Sequence, residues 1–117
     1  MLIQVLKSKL KRVVITDANV EYAGSLTLDE DIMKAAWLNP NERVEVNSVY
    51  GKGRIVTYVI PGERGSGRVE LNGGAANFFS VGEEIHVNCF GFVDEKDKPR
   101  NPRVVITNDI NEITSIK

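Results

Sequence analysis

The stretch RVEVNSVYGKGRIVTYVIPG, residues 43–62, decides how this chain is read. Residues 43–49 and 54–60 alternate in side-chain character and are rich in β-branched residues, the period-two signature of strands with one buried face. Gly51-Lys52-Gly53 puts turn chemistry between them, and Pro61-Gly62 adds more at the far end. Outward from this stretch the pattern recurs at 11–16 (KRVVIT), 68–71 (RVEL), 84–90 (EIHVNCF) and 102–107 (PRVVIT), with residues 2–6 a further candidate strand. Gly65-Ser66-Gly67 and Gly73-Gly74 supply additional turns. Many short strands at this spacing predict a mainly β chain, curled into a closed or nearly closed small barrel.

One segment breaks the alternation. In TLDEDIMKAAWL, residues 27–38, Ile32, Ala35, Ala36 and Leu38 form an apolar stripe near helical spacing. Thr27 or Asp29 can cap it, Thr27 with Glu30 matches a capping box, and Pro40 stops it. A second short helix is expected through residues 75–78. The polar, proline-bearing stretch 94–102 reads as a surface loop.

Length and composition narrow the class. The chain has 117 residues, one domain's worth, with 42% hydrophobic and 26% charged residues. A net charge of -1 gives no whole-chain argument for nucleic acid or an anionic membrane as partner. The single cysteine, Cys89, forms no internal disulfide and no zinc site, and a reducing compartment fits best. The opening MLIQVLKSKLKR lacks an apolar stretch of signal-peptide length, and no apolar run spans a bilayer. These readings predict a cytoplasmic, soluble protein with no metal site.

The candidate chemistry begins in EYAGSLTLDE, residues 21–30. A serine hydroxyl can attack the carbonyl that precedes it and form an ester. The attack needs a strained turn, which glycine permits, and a donor for the developing oxyanion. Elimination from that ester, then hydrolysis, turns the serine into a pyruvoyl group. On the dipeptide Gly24-Ser25 alone, a plain turn feeding the helix is the stronger reading.

The surrounding motifs change that weighting. Lys9, Arg12 and Thr16 form KxxRxxxT. Tyr22, Gly24 and Ser25 form YxGS. Arg54, Thr57 and Tyr58 form RxxTY, followed by GERGS at 62–66 and NGGAA at 72–76. In this order and spacing the set resembles the aspartate 1-decarboxylase family, pyruvoyl enzymes that make β-alanine for pantothenate and coenzyme A. The resemblance runs from about residue 6 to about residue 93. It implies a double-psi β-barrel over residues 1–117, self-cleaved into a short β chain (1–24) and a longer α chain (25–117). It implies a homotetramer with active sites between subunits, and leaves room for a maturation helper protein. Ser25 would become the pyruvoyl cofactor, Gly24 would end the short chain, and Thr57 would assist self-processing. Tyr58 would be the proton donor. Asn72, Gly73, Gly74 and Ala75 would hydrogen-bond near the new carbonyl. L-aspartate would be decarboxylated through an imine with the pyruvoyl carbonyl, which acts as an electron sink.

The cations fit such a substrate. Arg54 offers a planar fork for a carboxylate and Lys9 a point charge. Strong pairing of the α-carboxylate, which must leave as carbon dioxide, would stabilise the ground state. Arg54 and Lys9 are therefore expected to grip the retained side-chain carboxylate. Each also reads plainly as a solvated strand charge, Thr57 as a β-branched strand residue, and Tyr58 as a core or interface aromatic. The only histidine, His86, sits in an alternating pattern and reads as structural. Lys11 stands where many family members carry histidine, Asn47 where tryptophan is frequent, and Trp37 where glycine or leucine is common. Two alternatives remain open: an unprocessed, zymogen-like member of the fold, and a non-enzymatic small barrel. The last would show a one-sided basic surface and stacking aromatics, and aromatics are only 7% of this chain.

Overall fold

The computed structural model describes residues 1–97 and 101–117. In chain order it contains β1 (Leu2–Val14), β2 (Asp17–Asn19), β3 (Ser25–Asp29), helix α1 (Glu30–Ala35), β4 (Arg43–Ser48), β5 (Arg54–Gly62), β6 (Val69–Asn72), a 3-10 turn (Gly73–Phe78), β7 (Glu84–Asp94), β8 (Arg103–Thr107) and β9 (Ile113–Ile116). The strands form one mixed sheet in the order β2-β6-β3-β5-β4-β7-β1-β8-β9. The mainly β fold and the two short helical pieces agree with the sequence reading.

Alternation builds the central strands. Val44 and Val46 of β4 point inward opposite Thr57 and Ile55 of β5, while Arg43, Glu45 and Asn47 point outward with Tyr58, Val56 and Arg54. The inward valines join Leu10, Leu26, Leu71 and Ile85 in a single buried core. Burying one such side chain contributes roughly 1.5–3 kcal/mol relative to exposure.

The sheet curls back on itself where β1 ends. Thr16 donates its backbone N–H to the Val69 carbonyl (2.8 Å), and its hydroxyl bonds both the Val69 carbonyl (3.1 Å) and the Val69 N–H (3.0 Å). Buried Asn111 pins the same seam. Its Oδ1 accepts from the Val14 N–H (2.7 Å), and its Nδ2 donates to the carbonyls of Val14 and Gly67 (2.8 Å each).

The structure revises several boundaries, each for a physical reason. The candidate strands at 2–6 and 11–16 are one strand of 13 residues, interrupted by irregularities between Leu6 and Ser8 and between Leu10 and Val13. A bulge adds one residue and slips the period-two phase, so Ser8 and Leu10 are buried before the second bulge and Val13 and Ile15 after it. Ser25–Asp29 is a strand, not a turn into the helix. All five residues are buried, with Leu26 and Leu28 alternating against Ser25, Thr27 and Asp29. Thr27 lies inside β3, and Asp29 caps α1 by accepting from the Asp31 N–H at 2.9 Å. Pro61 and Gly62 end β5 in parallel pairing with Leu28 and Asp29 rather than making a turn. Residues 98–100 of the expected surface loop lie outside the described residues.

Asp29 also explains GERGS. Its carboxylate accepts from the backbone N–H groups of Gly65 (3.1 Å) and Gly67 (2.9 Å), and both glycines sit at positive φ (75° and 68°). The motif is a loop folded onto the strand that carries Ser25.

Candidate active site

Strand β3 lies between β5, parallel to it, and β6, antiparallel to it. Leu26 and Leu28 fill the core, so Ser25 and Thr27 point to the opposite face. Register sets Ser25 opposite Asn72 of β6. Asn72 Nδ2 donates to Ser25 Oγ at 3.1 Å and to Thr27 Oγ1 at 3.3 Å. Ser25 is 3% exposed and so is Asn72, so this triad is shielded from water. Asn72 Oδ1 is buried without a partner among the described residues, an unfilled acceptor beside the serine.

Around this triad lies a cleft of about 460 Å³. Its walls come from Tyr22 and Ala23 before the serine, Tyr58 and Ile60 of β5, and Arg68 and Glu70 of β6. Tyr58 is 39% exposed, its ring over the cleft face of β5. Arg68 lies 3.8 Å from the Glu70 carboxylate, so the cleft's own cation is already paired. Clefts of similar size lie by Glu42 and Phe92 and by Asp29 and Ile110, but neither contains Ser25.

The peptide before Ser25 is pressed from one side. Gly73 follows Asn72 at a φ of 67°, and a Cβ on it would meet the Gly24 Cα and N at 2.8 Å and the Tyr22 carbonyl at 3.0 Å. Gly24 itself is less constrained than the sequence suggested. It is not at positive φ, and a Cβ there would meet only the Asn72 carbonyl, at 3.9 Å. The contact that demands a missing side chain is therefore at Gly73. Gly74 is exposed with open space around its Cα, and Ala75 is half-buried.

Other expected site residues lie elsewhere in the chain. Thr57 is on the inner face of β5, opposite Val44, and is not in the cleft wall. Arg54 precedes Tyr58 by four residues, about 13 Å along a strand. Lys9 is on β1, beyond β4 and β7 in the sheet order, opposite Asn88. Thus Ser25, Tyr58, Asn72 and Gly73 come together around Gly24, while Lys9 and Arg54 belong to the outer face of β1-β7-β4-β5. Sequence reasoning missed Thr27, which shares the Asn72 donor. It also missed Asn47, whose Oδ1 accepts from Arg54 Nε at 2.8 Å and orients the guanidinium. The strand alternation that pairs Asn47 with Arg54 was readable; the β3–β6 register was not.

A small, mainly β barrel carrying a buried serine after an exposed glycine, with an amide donor on the serine oxygen, defines a class of protein built around one main-chain peptide. Comparison with known proteins gives the particular family. Residues 1–114 match the family model described as aspartate decarboxylase. The chain is 45% identical to the aspartate 1-decarboxylase of Acetivibrio thermocellus, covering 100% of this chain and 94% of that one. It is 43% identical to that of Caldicellulosiruptor saccharolyticus (99% and 91%) and 38% identical to that of Carboxydothermus hydrogenoformans (100% and 93%). The chain belongs to the aspartate decarboxylase family. Among the described residues no helix is long and apolar enough to cross a membrane.

Proposed function

We propose that this chain cleaves itself between Gly24 and Ser25 and then decarboxylates L-aspartate to β-alanine, the step that feeds pantothenate synthesis. The observation that carries the reading is the buried Ser25 hydroxyl held by Asn72, one residue from a Gly24 backbone packed against Gly73. Ser25 Oγ attacks the Gly24 carbonyl carbon, and an ester replaces the amide. Loss of the Gly24 carboxylate and hydrolysis of the resulting enamine release ammonia and leave a ketone at position 25. Asn72 keeps the oxygen in place, and Thr27, which shares the Asn72 donor, is the hydroxyl beside it in this chain. The residues present suit this group: the nucleophile is dry, its oxygen has a donor, and the departing Gly24 is exposed.

The ketone supplies the electron sink for decarboxylation. Tyr58, in the same cleft, protonates the carbon that loses carbon dioxide. Asn72 and the backbone at 73–75 hydrogen-bond around the reacting end. Arg54 and Lys9 hold the retained carboxylate. Since Arg68 is paired and the outer-face cations are remote from Ser25, a second copy brings its Arg54 and Lys9 to the cleft. Exposed Tyr22, Val56 and Tyr58 give that contact an apolar margin. The assembly is a homotetramer.

Cleavage need not break the fold. Residues 1–24 include β1, paired to both β7 and β8, and β2, paired to β6. Denaturing mass spectrometry is the test. Two pieces meeting at Gly24/Ser25, the larger with a blocked amino end, together with β-alanine production, are expected. Ser25→Ala remains one chain and inactive. Turnover of aspartate by an uncut chain overturns the reading.

A further inference from the structure

The outer face of β1-β7-β4-β5 carries a row of polar side chains that the roles above do not use up. Asn47 is the register partner of both His86 on β7 and Arg54 on β5. The three lie side by side across adjacent strands, so the His86 and Arg54 backbones are about 10 Å apart. The Asn47 amide holds Arg54 Nε at 2.8 Å and leaves the guanidinium's terminal N–H groups for another partner. At the other end of the row, Leu10 pairs with Val87 and Val13 with Ile85, so Lys11 and Arg12 together oppose His86. That bulge puts Arg12 at a φ of 64°, a left-handed conformation that costs a non-glycine residue about 1 kcal/mol. Bulges of this kind re-aim side chains beside functional sites.

Three facts mark the row as a place for an anion. No carboxylate forms an ion pair with Lys9, Lys11, Arg12 or Arg54 among the described residues. Nδ1 of His86 and Oδ1 of Asn88 are buried there without hydrogen-bond partners. The acids on the same face, Glu45 and Glu84, are fewer than the cations.

We propose that His86 is a specificity-determining residue, its imidazole closing with the Arg54 guanidinium on the retained carboxylate of a dicarboxylic amino acid. The inference rests on the decarboxylase reading above, in which this face completes a neighbouring copy's cleft. Nδ1 is buried with no acceptor for a proton there, which favours the tautomer whose N–H is on Nε2, free to donate. Burial first, then Lys9, Lys11 and Arg12, hold the His86 pKa below its ordinary value against an opposite pull from Glu84. Arg54 on β5 and Glu45 on β4 are the other charged groups facing this row. The free imidazole is neutral near neutral pH, and a carboxylate between it and Arg54 stabilises its protonated form. Binding therefore tightens as pH falls from above the bound-state midpoint to below the free-state one.

His86 is the chain's one histidine, so its imidazole NMR signal reads the site directly. Succinate, which has both carboxylates of aspartate and no amine to react, is the probe. Saturating succinate is expected to raise the His86 titration midpoint by about one unit, and Arg54→Met to abolish that rise. A midpoint that succinate does not move, or a rise that survives Arg54→Met, overturns the proposal. In cleaved, folded protein, His86→Leu is expected to raise KM for aspartate about tenfold with kcat within about twofold, and His86→Gln to recover most of the loss. Unchanged KM in His86→Leu overturns it equally. If the unaltered chain makes no β-alanine yet succinate shifts His86, the carboxylate site stands and the decarboxylase reading falls.

Discussion

A methyl group on Gly73 would sit 2.8 Å from the Gly24 backbone, inside the closest approach real atoms make, and would force an unfavourable φ as well. The same methyl on Gly24 has room. Gly73→Ala is expected to lower unfolding free energy by about 2 kcal/mol and to leave the chain uncut, whereas Gly24→Ala changes stability by less than about 1 kcal/mol. Urea unfolding of both variants in a Ser25→Ala background, where neither can cut, checks the stability contrast; mass spectrometry of Gly73→Ala alone checks the processing. Asn47 acts through Arg54. Removing its amide frees the guanidinium to other rotamers, so Asn47→Ala is expected to raise KM for aspartate about threefold to tenfold with kcat nearly unchanged. Steady-state kinetics would show the opposite split, a fall in kcat alone, if Asn47 served the chemical step instead.

Between elements, the seam at the end of β1 depends on one side chain. Asn111 is 3% exposed, sits at a φ of 62°, and makes three hydrogen bonds to main-chain groups of Val14 and Gly67. Asn111→Ala leaves those groups without partners and is expected to cost about 3 kcal/mol, read as a lower urea midpoint with an unchanged slope. On β7, burial, with the Glu42 carboxylate adjacent, pushes the Cys89 thiol up to about 11. Glu42 is itself pulled toward the barrel wall by Lys7, whose ammonium lies 2.6 Å from one carboxylate oxygen. The folded state keeps the Cys89 proton more tightly than the unfolded chain does. Its contribution is therefore complete below the ordinary thiol value of 9.0 and is lost as pH rises from there toward about 11. Iodoacetamide at about pH 8 is expected to modify Cys89 only when the protein unfolds; rapid labelling of native protein would contradict the burial.

For the whole molecule, the location of the Gly24–Ser25 peptide decides what the proposed cleavage would do. Gly24 is exposed and ends the segment that follows β2, while Ser25 opens a strand bonded on both sides. In the fragment 1–24, β1 lies between β7 and β8, inside the sheet rather than at its edge, where its buried side chains would hold it without a covalent link. The two pieces are expected to stay together through gel filtration and to separate only in denaturant. The particle should contain four copies, and mixing inactive Ser25→Ala chains with inactive Arg54→Met chains, then refolding, should restore activity through hybrid sites. Absence of such complementation would place Arg54 and Ser25 of each site in the same chain.

Much of this protein was legible without coordinates. Alternation in 43–49, 54–60 and 84–90 needs only neighbouring residues to be recognised, because the period of a half-buried strand is written locally. The motifs around Gly24-Ser25 likewise named the family by residue type and spacing. Other features depended on contacts between distant segments. β3 was hidden because it is only five residues long and runs directly into the residues that cap α1, so its short polar–apolar alternation read as the start of the helix. The two halves of β1 looked separate because a bulge slips the phase. Pairing Ser25 with Asn72, pressing Gly73 onto Gly24, and setting His86 in line with Arg54 all follow from strand register, and register is fixed by how the whole core packs. The sequence by itself determined which groups could react; the tertiary structure decided which of them meet, since only a closed core sets residues 47 positions apart within 3.1 Å of each other.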